Sequence, residues 1–116
     1  MANFLFTLSK DDNEAATRCF MLAKIAHSKG HHVDLFFLDG GVLWADKTRD
    51  LTKKTVTGDC PADYLPYLVE HDVGVGVCTP CAMARKLEEA KLFQNMELAV
   101  GSHLIEMAAE AKVFNF

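Results

Sequence analysis

The residues of this sequence best suited to do chemistry are two cysteines in the stretch VGVGVCTPCAMARKLEEA, residues 73–90, where Cys78 and Cys81 stand between a valine-glycine run and a helix-like segment. A cysteine is nucleophilic as its thiolate, and the unpaired backbone N–H groups at a helix N-terminus lower the thiol pKa. Thr79 is a capping residue and Pro80 suits the first helical position, so a helix is expected to begin here with both thiols at its start. Arg85, one turn beyond Cys81, would add positive charge or bind an anionic sulfur donor; its alternative is a solvated place on the helix face.

Four chemistries fit this turn. Cys78 can simply end a core strand, because buried cysteine is common. The pair can form a redox disulfide, since CTPC before a helix resembles the CGPC of thioredoxin; thioredoxin, however, carries its motif after an early strand, with antiparallel strands downstream. The pair can supply half of a zinc site, but no partner CxxC or HxxxH pair occurs, and Cys60 with a histidine would complete the set only through tertiary coincidence. Finally, Cys78 can be a single reactive cysteine at a strand-to-helix turn. Of the other candidates, Cys19 falls on the apolar face of the first expected helix and reads as core. Cys60 precedes Pro61 beside a long polar loop, from which it could reach the site as a second thiol. His103 lies at the start of the last expected helix, while His27, His31, His32 and His71 fall at helix ends or turns, where surface roles are the plainer reading.

The elements that must position these residues alternate along the chain. Strand-like runs are NFLFTL (3–8), HVDLFFL (32–38), DVGVGV (72–77), MELAV (96–100) and KVFNF (112–116). Between the first two lies a segment with Ala15, Cys19, Leu22, Ala23 and Ala26 at helical spacing, with Ser9 as the expected N-cap, Asp12 in the capping-box position and Gly30 as the stop. Asp39–Gly41 reads as a turn. Asp63 is expected to cap a helix to about His71 with Pro66 in its first turn, and Ser102 one that runs to about Glu110. In the third strand Val73, Val75 and Val77 share a face, and Gly74 and Gly76 leave the other face open to a closely packed helix. Residues 45–59 have no period and form the one long loop, a class often mobile or functional.

Strands alternating with helices imply right-handed crossovers. The expected fold is therefore a single small doubly wound α/β domain over residues 1–116, with a five-stranded, mainly parallel sheet and helices on both faces. Ligand chemistry in such sheets gathers at the carboxyl ends of the strands, which collects Ser9–Asp11, Asp39–Gly41, Cys78–Cys81 and Gly101–His103 at one edge.

Composition narrows the function classes. The 116 residues are 50% hydrophobic with a formal charge of −4, and the basic residues are scattered, which argues against a nucleic-acid surface. No apolar run reaches the roughly 20 residues of a membrane span, and the N-terminus lacks the basic leader and cleavage site of a signal peptide. A cytoplasmic location is expected, where four cysteines read as reduced, catalytic or buried rather than as a disulfide framework. No dinucleotide glycine turn or phosphate-loop lysine occurs, so no cofactor is expected.

The sequence as a whole resembles the DsrE/DsrF-like family of small sulfur-relay proteins, in which a strand ending in Val-Cys opens into a helix with an arginine a turn or two later. The matching residues here are Val77, Cys78 and Arg85, and the resemblance extends through AATRCFMLAKIAHSKGHHVDLFFLDGGV (15–42) and GSHLIEMAAEAKVFNF (101–116). It implies a sulfurtransferase-like persulfide carrier, with Cys78 accepting sulfane sulfur and passing it to a partner protein. It also implies homo-oligomers, commonly trimers paired into hexamers, together with sulfur-donor and sulfur-acceptor partners. Cys81 is not a general family feature, so it is left either to resolve a Cys78 persulfide or to pack silently. Two other functions stay open: a non-catalytic oligomeric scaffold of the same fold, and a thiol–disulfide oxidoreductase using Cys78 and Cys81.

Overall fold

All five apolar runs become strands of one sheet in the computed structural model, which describes residues 1–116. In chain order the elements are β1 (Asn3–Leu8), α1 (Asn13–Ser28), β2 (His32–Phe37), a 3-10 helix (Asp39–Ala45), a 3-10 turn (Pro61–Asp63), α2 (Leu65–Glu70), β3 (Val75–Cys78), α3 (Thr79–Ala84), a second 3-10 turn (Glu89–Lys91), β4 (Met96–Ala99), α4 (Gly101–Ala109) and β5 (Lys112–Asn115). The strand order is β4-β3-β2-β1-β5, and every pairing is parallel.

That order dictates the layers. The crossovers β1 to β2, β2 to β3 and β3 to β4 all step to the adjacent strand in one direction, so right-handedness puts α1, α2 and α3 on the same face. The β4-to-β5 connection returns to the far side of β1 and carries α4 over the opposite face. The main core fills the first layer: Phe6, Leu8, Val33, Leu35, Phe37, Val75 and Val77 from the sheet meet Ala16, Cys19, Phe20 and Ala23 of α1, Leu65 and Leu68 of α2, and Ala82 of α3. α4 buries none of its residues fully.

Several local expectations are corrected. Asp12, not Ser9, caps α1, its carboxylate accepting from the Ala15 N–H at 2.8 Å. Ser9 is used instead to join strand ends, its hydroxyl donating to the Phe116 carbonyl at 3.0 Å and its N–H to the same oxygen at 2.9 Å. Asp63 does not cap α2; its carboxylate accepts from the Cys60 N–H at 2.9 Å within the 3-10 turn, and Pro66 falls in the first turn of α2 as expected. Ser102 lies inside the first turn of α4, whose cap position is held by Val100. Gly76 makes room for the Phe36 ring on the adjacent strand rather than for a helix: a Cβ there would stand 2.7 Å from that ring.

Asp39–Gly41 opens the 3-10 helix instead of forming a simple turn. Here the chain crosses the end of β1 so closely that the Leu38 N–H donates to the Leu8 carbonyl at 3.0 Å, and any Cβ on Gly41 would collide with that same oxygen. The helix seated in this way carries Val42, Trp44 and Ala45 into the core and supports α3.

The polar loop is ordered rather than loose, around one carboxylate. Asp59 accepts from the hydroxyls of Thr55, Thr57 (2.8 Å) and Tyr64 (2.7 Å) and from the Arg18 guanidinium at 3.0 Å. These hydrogen bonds, led by that of Thr55, hold the Asp59 carboxyl well below the usual aspartate range, and Asp59 in turn raises the Arg18 pKa.

Two predictions follow from these anchors. Gly41→Ala will cost about 3 kcal/mol in urea unfolding because the clash is with backbone, whereas Gly101→Ala, with open space around it, will change stability by no more than about 0.5 kcal/mol. A depressed carboxylate stabilises the fold above its unfolded pKa and loses that contribution as pH falls through the folded value. Asp59→Asn is therefore less stable than the parent near neutrality, and the gap closes as the pH drops below ~3.9. A gap that is constant with pH would refute the assignment.

Candidate functional site

The cysteine turn lies where the layers diverge. Cys78 is the last residue of β3 and pairs in register with Ala99, the last residue of β4. The chain leaves β3 toward the first face and β4 toward the second, and a carboxyl-end crevice between such strands is the usual ligand position in open parallel sheets. The strand sequence VGVC suits this place: Val75 and Val77 bury into the core while Gly76 leaves room for Phe36, so the strand fits between two neighbours.

One hydrogen bond ties the turn to the neighbouring strand. The Thr79 hydroxyl, expected as a helix cap, donates instead to the Ala99 carbonyl at 2.9 Å and fastens the start of α3 to the end of β4. Cys78 itself occupies the cap position, and Pro80 stands second in the helix. Within the helix Arg85 donates from Nη1 to the Cys81 carbonyl at 3.2 Å, which keeps its charge beside the Cys81 backbone. Ala82 anchors α3 in the core. Cys78 and Cys81 are joined as a disulfide, their Cα atoms 5.3 Å apart, and both residues are only partly buried.

The other candidates fall elsewhere. Cys60 is buried at the head of its 3-10 turn, where its sulfur accepts from the Asp63 N–H. Cys19 is buried in α1, and burial pushes its thiol pKa up, out of the reactive range. His103 is exposed on α4 and lines a groove with Asn3, His32 and Asp34, toward the amino ends of β1 and β2. The remaining histidines serve that same end: His27 hydrogen-bonds the Tyr67 hydroxyl at 2.9 Å, His71 stacks on Tyr67, His31 accepts from the Ala2 N–H at 3.0 Å, and His32 meets Asp34 at 2.9 Å. No three His, Cys, Asp or Glu side chains converge as a metal-ligand set.

The sequence reading missed Trp44 and Arg49. Arg49 lies over the Trp44 ring at 3.9 Å and pairs with Asp11 at 2.7 Å, linking the polar loop to the segment after β1. The available signal was a lone tryptophan followed by an arginine at the entrance of the polar loop, which has no helical or strand period to register.

The burial pattern predicts thiol reactivity. After reduction, alkylation of the native protein will modify Cys78 and Cys81 and spare Cys19 and Cys60, and denaturant will open all four cysteines to the reagent. Peptide mapping checks this, and native labelling of Cys19 would contradict the core.

Comparison with known proteins agrees with this architecture. The model of the DsrE/DsrF-like family matches residues 2–116. Among solved structures, the ychN protein from E. coli superposes with a TM-score of 0.84 at 18% identity, and MTH1491 from Methanobacterium thermoautotrophicum, described as a protein of unknown function, with 0.70 at 11%; both alignments cover 100% of each chain. A search of curated proteins finds no significant match. At such identities the solved structures speak for the fold alone, while the family match spans nearly every residue. The chain belongs to the DsrE/DsrF-like family.

Proposed function

We propose that this protein is a sulfur-relay carrier that accepts sulfane sulfur on Cys78 as a persulfide and passes it to a partner. The observation that carries the reading is the position of Cys78, partly exposed at the carboxyl end of β3 where the chain turns into α3, in a chain of this family. Once Cys78 is reduced, its thiolate attacks the outer sulfur of a donor persulfide, and the donor thiolate leaves with the electron pair of the broken S–S bond. An acceptor thiolate then attacks the outer sulfur on Cys78 and regenerates the Cys78 thiolate. Each exchange is balanced in electrons without a metal or organic cofactor. Arg85, one turn beyond Cys81, adds positive charge to the cysteine helix, which favours the anionic forms.

The partners are thus a donor and an acceptor that present sulfur nucleophiles, in a reducing compartment such as the cytoplasm. No helix is long and apolar enough to cross a membrane. We also infer self-association into a homo-oligomer: Val100 and Ile105 on and before α4, and Val113 and Phe114 on edge strand β5, are apolar and exposed. A monomer by light scattering would remove that part of the reading.

One observation favours a second reading. The Cys78–Cys81 pairing suits a thiol–disulfide oxidoreductase, which would exchange electrons with substrate dithiols and carry no sulfur. Intact mass after incubation with inorganic polysulfide and removal of excess reagent separates the two. The relay reading expects Cys81→Ser to gain one sulfur atom at Cys78 and Cys78→Ser to gain none. Uptake undiminished in Cys78→Ser would overturn it, and absence of uptake in both variants, with intact disulfide exchange in the parent, would favour the oxidoreductase. Neither activity in any form would leave a scaffold.

A further inference from the structure

We propose that Cys81 is the resolving cysteine of this site: its thiolate attacks the inner sulfur of the Cys78 persulfide, closes the Cys78–Cys81 disulfide and expels the carried sulfur as hydrosulfide. The proposal rests on the persulfide reading of Cys78 and adds a second outcome for the bound sulfur, reductive discharge in place of transfer.

Geometry carries the inference. The Cα separation of 5.3 Å lets the two sulfurs bond across one helical turn. Their proximity does not depend on the disulfide alone, because the Thr79 hydroxyl fastens the helix start to the Ala99 carbonyl and buried Ala82 anchors α3 in the core. In the reduced state Cys81 thus remains beside the sulfur that becomes the inner atom of the persulfide. Attack at that atom is intramolecular and precedes collision with a dilute external thiol. The other cysteines offer no competition, since Cys19 is sealed in the core and Cys60 is buried. Both residues of the pair are only partly buried, so the site is not sealed inside the core.

The step balances. A bond forms between the Cys81 and Cys78 sulfurs, and the bond from Cys78 to the outer sulfur breaks. The outer sulfur leaves with that electron pair and its own proton as HS⁻. It is reduced by two electrons, and the two cysteine sulfurs are oxidised to the disulfide. An external dithiol then exchanges with the disulfide, becomes oxidised itself and restores both thiols. The substrate class is therefore a sulfane-sulfur donor, the product is hydrosulfide, and the reductant is a dithiol. An acceptor protein receives sulfur only when it reaches the persulfide before Cys81 does, so closure of the pair limits the lifetime of the cargo.

The test compares the reduced parent with Cys81→Ser, Cys81→Ala and Cys78→Ser, each pulsed with inorganic polysulfide and separated from it by rapid gel filtration without added thiol. Intact mass after alkylation follows the protein, and a bimane trap follows hydrosulfide. The parent is expected to pass from one sulfur heavier to two hydrogens lighter than the reduced form, with one equivalent of hydrosulfide per disulfide. Both Cys81 variants are expected to hold the added sulfur and lose the release; agreement between them excludes a folding artefact of either. Loss of the added sulfur from the Cys81 variants at the parental rate overturns the resolving role and leaves the persulfide reading intact. Failure of the Cys81 variants to gain sulfur at Cys78 overturns the persulfide reading, and the resolving role with it.

Discussion

The carbonyl oxygen of Leu8 is the point on which the positions of the other elements depend. It ends β1, receives the Leu38 N–H, and lies so near the Gly41 Cα that no side chain fits between them. This contact seats the 3-10 helix Asp39–Ala45 directly over the carboxyl edge of the sheet, with Trp44 fully buried beside Phe20. α3 then lies on that helix through Ala82, and the cysteine turn is carried at its head. A packing constraint between two strand exits thus reaches the cysteine helix through the 3-10 helix on which it packs.

The parallel sheet separates two kinds of chemistry. Every strand points its carboxyl end toward the cysteine turn, and every amino end meets the histidine-rich side, where the rings are already engaged with Tyr67, Asp34 and the Ala2 amide. Placing thiols at one end and imidazoles at the other deprives the cysteines of a neighbouring general base. Sulfur exchange tolerates this, because the attacking species is a thiolate and the leaving thiolate needs little protonation. The same arrangement leaves Arg85 as the charged group of the cysteine helix that lies closest along the chain to Cys81. The polar loop is tied to α1 by the ion pair of Arg18 with Asp59.

Local signals that depend on a residue's own backbone were readable in advance; those that depend on a distant partner were not. The strand runs alternate or stay apolar because they are buried in a parallel sheet, and α1 shows its period because one stripe faces the core. The capping residues were harder. Ser9, Asp12, Asp63, Thr79 and Ser102 are all competent caps, and the choice among them is made by what else each can bond: Ser9 finds Phe116 and Thr79 finds Ala99, neither near in sequence. Gly76 is a similar case, since only strand pairing reveals that Phe36 fills the space a side chain would take. The loop at 45–59 gave no period because its order comes from one carboxylate gathering donors, a device with no repeat.

For this protein the amino-acid order by itself determined the alternation of strands and helices, hence a parallel sheet with the cysteine turn at its carboxyl edge, and it marked Cys78 by its position between a buried strand and a helix start. Those properties follow from hydrophobic period and chain handedness, which every segment carries locally. Tertiary structure decided the rest: that His103 faces the amino-end groove while Cys81 stands against Cys78, and that the turn lies between layers leaving in opposite directions. The physical reason is that proximity between segments is set by strand order and by backbone approaches such as Gly41 on Leu8, neither of which is encoded in the spacing of the residues they bring together.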